Sequence, residues 1–144
     1  MSVFVDTNIL LRSVQPSDPL QESAIRAVTT LVGSGESLVL TPQIMAEFWN
    51  AATRPRAHNG FGLSPEKARD ELLHIENFFS VLDESREVYN EWKRLIAVYA
   101  VIGVKTHDAR LVAAMNVYSI PRILTFNRED FTRYKEVEII SPPI

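Results

Sequence analysis

The chain has 144 residues, 46% of them hydrophobic and 23% charged, which suits one folded domain over 1–144 with its own core and excludes a disordered chain. The absence of cysteine excludes disulfide frameworks, thiolate zinc sites and cysteine nucleophiles. A net charge of -3 argues against a broad basic face for duplex nucleic acid, although an acidic chain handles phosphates where divalent cations cover its carboxylates.

The first element is the apolar run Val3, Phe4, Val5, a short strand of the kind a parallel sheet buries on both faces, and it stops on Asp6, Thr7 and Asn8. In open α/β sheets the carboxyl ends of strands line the ligand crevice, so Asp6 is placed to face a site. It is equally placed to cap the helical turn expected over 9–12. The strand begins directly, with no basic and apolar leader, and no apolar run is long enough to span a bilayer, so no membrane association and a cytoplasmic location are expected.

Asp18 and Pro19 read as N-cap and first helical position of a helix ending at Gly33, Ser34 and Gly35. A second strand is predicted over 37–40. Thr41 and Pro42 repeat the cap-then-proline signal and open a helix to about Thr53, stopped by Pro55. The segment 54–62 is a loop with two glycines and the basic side chains Arg54, Arg56 and His58. Ser64 and Pro65 start a helix carrying Ala68, Leu72, Ile75 and Phe79 on one face. Val81 and Leu82 suggest a third strand, residues 85–99 a helix with Val88, Trp92, Leu95, Ile96 and Tyr99 as its stripe, and a further helix starts near His107 or Asp108. Strands over 121–125 and 137–140 close the chain around the polar turn 127–131. Strands alternating with longer helices imply crossover units, hence a mostly parallel sheet covered by helices.

Four places depart from this pattern. Glu47 sits within the apolar stripe of Ile44, Phe48 and Ala51, and Asp108 begins the stripe continued by Leu111, Val112 and Met115. Taken singly, Glu47 reads as a residue bending to solvent or pairing with an arginine, and Asp108 as a first-turn acid favoured by the helix dipole. Thr125, Phe126 and Asn127 follow the fourth strand, with Asp130 three residues on, where a turn is the ordinary explanation. Jointly, three acids and one amide aimed at one sheet edge repel one another unless cations bind. Oxygen ligands without cysteine suit Mg²⁺ or Mn²⁺, as one or two ions, and the reaction class that follows is metal-dependent phosphodiester hydrolysis.

The set Val5-Asp6-Thr7-Asn8, Glu47 after Thr41-Pro42, His107-Asp108-Ala109 and the run Leu124 to Phe131 resembles the PIN-domain nucleases, especially the VapC-type toxins of toxin–antitoxin pairs. The resemblance covers nearly the whole chain in motif order. It implies an α/β/α sandwich on a parallel sheet of roughly five strands, Mg²⁺- or Mn²⁺-dependent cleavage of RNA, a homodimer and inhibition by a VapB-like antitoxin protein. On that analogy Asp6, Glu47 and Asp108 are the metal ligands, with Asn127 at a fourth catalytic position where many members carry aspartate. Thr7, Asn8, Thr125 and Asp130 are supporting residues. Arg54, Arg56 and His58 are candidates for RNA contact, with Arg12 and Arg128 as seconds, and a merely solvated loop, or an antitoxin or dimer surface, is the equal alternative. His107 reads as structural, and the aromatic residues at helical spacing as core or dimer interface.

Two other readings compete. One is a PIN fold without catalysis that binds RNA or protein, suggested by Asn127. The other is a receiver-type phospho-acceptor domain with Asp83 as acceptor, which lacks the second acid after the first strand and has Ser141 where a lysine is wanted.

Overall fold

The computed structural model describes residues 1–143. Among them the order is β1 (Ser2–Val5), α1 (Thr7–Ser13), α2 (Gln21–Gly33), β2 (Ser37–Leu40), α3 (Pro42–Thr53), α4 (Pro65–Phe78), β3 (Ser80–Val81), α5 (Arg86–Val98), α6 (Lys105–Val117), β4 (Arg122–Leu124) and β5 (Glu138–Ile140), with short 3₁₀ turns at Arg56–His58 and Arg128–Asp130. The strands form one sheet in the order β3-β2-β1-β4-β5, and every neighbouring pair is parallel. The chain steps outward from β1 to β3, crosses back to β4 on the other side of β1, and ends on β5. Right-handed crossovers put α1–α4 on one face and α5 and α6 on the other, giving the expected α/β/α layering. The helix contacts agree, with α1 against α2 and α3, α3 against α4, and α5 against α6.

The apolar run that suggested β1 is fully enclosed: Val3, Phe4 and Val5 are all 0% exposed. Around them Leu40, Ile44, Phe48, Leu95, Ile123, Leu124 and Phe131 form the buried core. Strand order reverses between β1 and β4, so the switch point of the sheet, where ligands bind in open α/β folds, lies at the carboxyl ends of these two strands.

Several boundaries differ from the sequence reading. Helix α2 starts at Gln21, not at Pro19, because the Asp18 carboxylate accepts from Leu20 N at 2.8 Å and from Arg12, holding a turn before the helix. Thr41 gives α3 no side-chain cap; Glu84, brought in after β3, accepts from Gln43 N at 3.1 Å instead. Strand β3 is Ser80–Val81, one residue earlier than expected, although Leu82 N still donates to Leu40 O. Helix α6 begins at Lys105, after Gly103 in the left-handed region at φ 62, which turns the chain two residues sooner than His107. The Ser64 cap holds as expected, its hydroxyl accepting from Lys67 N. None of the described helices is long and apolar enough to cross a membrane.

Candidate active site

Asp6 leaves the carboxyl end of β1 and does two things at once. Its Oδ1 accepts from Thr7 N at 2.8 Å, capping α1. Its Oδ2 accepts from Thr125 Oγ1 at 2.9 Å and from Asn8 Nδ2 at 3.1 Å. Thr125 stands at the end of β4, so the switch point is closed by a side-chain contact between its two strands. Asn8 completes the brace: its Nδ2 also donates to Thr125 Oγ1, and its Oδ1 accepts from Phe126 N.

Glu47 comes from α3, one face of the sheet, and its Oε1 accepts from Thr7 Oγ1 at 2.9 Å. The stripe-edge glutamate thus turns toward Asp6 and pairs with a hydroxyl, not with an arginine. Asp108 comes from the first turn of α6, on the other face, where the helix dipole favours an acid as expected, and is half-buried. Asp130, in the turn after β4, is ion-paired with Lys105 Nζ at 2.6 Å.

The electrostatics tie these acids together. Burial pushes the Asp6 carboxyl up to about 6; the hydrogen bonds from Thr125 and Thr7 N oppose this, and the charges of Glu47 and Asp130 add to it. Asp108 is pushed up to about 7, first by burial, then by the neighbouring charges of Asp130 and Asp6, with Lys105 opposing and Glu47 adding slightly. Four carboxylates thus share one field. Lys105 is the cation that reaches into it.

Asn127 is exposed, and the contact that places it is through its backbone N–H, which donates to Thr125 Oγ1 at 3.0 Å. The fourth negative charge at the site is therefore that of Asp130. Among the described residues no three acidic or histidine side chains stand close enough to form a ready-made metal cage. The donor set nonetheless fits a hard divalent cation: it is all oxygen, its acids destabilise one another, and Mg²⁺ is commonly held by one or two carboxylates with water filling the other positions.

The basic candidates fall in two places, around the 54–62 loop and in the turn of Arg128, which also carries Asp130. Arg12 is salt-bridged to Asp18 at 2.8 Å in the turn before α2, and Arg54 is half-buried with Nη2 donating to Asn59 O within the loop. Arg56 and His58 are exposed. Arg12 and Arg56 line one concavity with Asp18 and Phe61, whereas Glu47 lines a different groove with Gln43, Glu84, His107 and Arg110. Arg128 is exposed and reaches Ile139 O at 3.4 Å.

Sequence reasoning missed four residues. Gln43 Nε2 donates to His107 O at 2.8 Å, joining α3 to α6 across the edge of the sheet, one helical turn from Glu47 and next to Asp108. Glu84 caps α3 and pairs with Arg110 at 2.8 Å. Lys105 answers Asp130. No local pattern signals these partners, because each pair is assembled from distant segments. The receiver-type alternative is not supported, since β3 is an edge strand separated from β1 by β2 and Asp83 cannot share a site with Asp6.

The sequence profile of the PIN domain matches residues 3–137. No curated protein matches the sequence. Among solved structures, the chain is similar to VapBC2 of Rickettsia felis bound to a promoter DNA fragment, at TM-score 0.74 and 13% identity over 99% of this chain and 100% of that one. It is similar to VapBC-1 of nontypeable Haemophilus influenzae at TM-score 0.73 and 16% identity, with 98% of each chain covered. It is similar to VapC20 of Mycobacterium tuberculosis, described as a sarcin-ricin loop cleaving toxin, at TM-score 0.64 and 16% identity over 92% of this chain and 95% of that one. At these identities the structural likeness is one of fold. Because the profile spans nearly the whole sequence, the chain belongs to the PIN domain family.

Proposed function

We propose that this chain is a divalent-metal-dependent ribonuclease that hydrolyses RNA phosphodiester bonds, and that it is the toxin of a VapC-type pair restrained by a VapB-like antitoxin. The observation that carries the reading is the placement of Asp6 at the switch point, with Glu47 and Asp130 near enough to raise the pKa of Asp6, and Asp130, Asp6 and Glu47 near enough to raise that of Asp108. Such a cluster is unfavourable without a counter-charge and suited to one. The toxin reading is supported by the fold likeness to VapBC proteins, of which one is described as a complex on promoter DNA and another as an RNA-loop cleaving toxin.

In this reading Asp6, Glu47 and Asp108 hold Mg²⁺ or Mn²⁺. A divalent cation supplies positive charge against a phosphodiester and lowers the pKa of water. Thr7 orients Glu47, and Asn8 and Thr125 fix the Asp6 rotamer. Asn127 offers a neutral oxygen at the rim, and Asp130 with Lys105 tunes the charge of Asp108. Arg56, His58 and Arg128 are the basic residues still exposed for phosphate contact, while Arg54 bonds within its own loop and Arg12 is paired with Asp18. A homodimer acting in the cytoplasm completes the proposal.

Purified protein incubated with structured RNA in Mg²⁺ and in Mn²⁺, beside Asp6→Asn and Asp108→Asn, tests it. Cleavage by the parent chain that falls at least a hundredfold in both variants is expected. Equal cleavage in all three sinks the assignment.

A further inference from the structure

A cavity of about 300 Å³ opens beside the acidic cluster, and none of the roles above uses it. Val88, Tyr89 and Trp92 of α5 form its wall. Its rim is Glu84, His107 and Arg110, and these same residues also line the adjoining groove of about 480 Å³ that contains Glu47. The two spaces are therefore neighbours that share one wall, and His107 immediately precedes Asp108. A strand that passes Glu47 in this groove has the cavity as its neighbouring space.

The chemistry of the wall is aromatic and held in place. Trp92 Nε1 donates to Thr106 O at 2.9 Å, which fixes the indole against α6. Tyr89 stacks on it with ring centres 6.0 Å apart and planes at 28°. Tyr89 is 53% exposed, an unusual amount for an aromatic ring that a packed core would claim. Lys93 Nζ lies 5.1 Å from the Tyr89 ring centre, and Arg110 stands on the shared rim, so cations flank the aromatic surface. Aromatic faces for bases with cations for the backbone is the arrangement by which proteins hold single-stranded nucleic acid.

We infer that this cavity is a subsite for one unpaired nucleobase of the RNA strand, next to the phosphate that lies over Asp6, Glu47 and Asp108. The inference rests on the ribonuclease reading and adds to it one flanking base turned out of its stack and held against Tyr89 and Trp92. Arg110, kept in place by Glu84, serves the phosphate of that nucleotide.

Tyr89→Ala tests the subsite without disturbing the core, because the ring is largely exposed. Base stacking on an aromatic side chain contributes about 1–3 kcal/mol, so Tyr89→Ala should weaken RNA binding by about 5- to 150-fold. Affinity is read by fluorescence anisotropy in an Asp6→Asn background, which leaves the strand uncut, and cleavage in the parent background. Single abasic replacements along the oligonucleotide should reproduce the loss at one position flanking the cut, and Tyr89→Ala should add nothing further there. Tyr89→Phe should restore binding. Parent protein that cleaves RNA yet is indifferent to Tyr89→Ala and to every abasic position overturns the subsite and leaves the ribonuclease reading intact. Parent protein that cleaves no RNA overturns both. A Tyr89→Ala chain that loses self-association, measured by light scattering, while binding RNA normally also overturns the subsite, by assigning the face to protein contact.

Discussion

Thr125 Oγ1 donates to Asp6 Oδ2 at 2.9 Å across 119 residues of sequence, joining the two strands between which the sheet reverses direction. The same hydroxyl accepts from Asn8 Nδ2 and Asn127 N. Thr125→Val keeps the shape, removes the donor and strands two further N–H groups. The expected loss is about 1–3 kcal/mol in urea unfolding, and Thr125→Ser should recover most of it. A valine variant as stable as the parent would show that the α1 cap and Asn8 hold Asp6 without Thr125.

The raised acids make a pH prediction whose sign is set by the fold. Asp6 at about 6 and Asp108 at about 7 bind protons more tightly folded than unfolded, where both sit near 3.8. Their neutral forms favour the fold below pH 4, and this contribution is lost as pH rises through 6 to 7. For buried Asp6 the rise corresponds to about 3 kcal/mol; half-buried Asp108 contributes less than its shift implies, because solvent screens it. Metal-free protein should therefore unfold at lower temperature at pH 8 than at pH 5. Asp108→Asn should match the parent below pH 4, already exceed it at pH 5 and exceed it further at pH 8. A parent Tm that climbs between pH 5 and pH 8 contradicts the cluster.

Metal binding should reverse that instability. At pH 8 a cation bound only by the folded chain stabilises it by about 2.7 kcal/mol at a hundred times Kd. Thr7 orients Glu47 without carrying charge, and loss of such an outer partner weakens metal binding about 10- to 100-fold in known sites. Calorimetry with Mn²⁺ should show this for Thr7→Val, and near-parent affinity for Thr7→Ser. Equal affinity in both would remove Glu47 from the metal site.

The loop over 54–62 makes a stability prediction independent of the acids. A Cβ on Gly60 would stand 1.8 Å from Arg54 O, a backbone atom that Gly62 N also uses, so the loop cannot yield locally. Gly60→Ala should destabilise by at least about 2 kcal/mol or rebuild the loop, while exposed Arg56→Ala should change stability by under about 0.5 kcal/mol. Thermal unfolding of the two variants side by side checks this.

What the sequence determined by itself is whatever depends on neighbours a few residues apart. The β-branched run before Asp6 makes β1, Ser64 three residues before Lys67 caps α4, and the apolar spacing around Glu47 and Asp108 marks acids on inward-facing stripes. The ordered motifs added the family. Tertiary structure alone decided which partners those acids meet: Thr7 with Glu47 across 40 residues, Glu84 on α3 across 41, Gln43 with His107 across 64, and Lys105 with Asp130 across 25. It also made Asp130, and not Asn127, the fourth charge. The physical reason is that periodicity and capping are short-range preferences of one segment, whereas a charge cluster exists only once the β1–β4 switch point brings both helical layers over one edge. The cavity at Tyr89 belongs to this second kind, since its rim comes from α6 and its wall from α5.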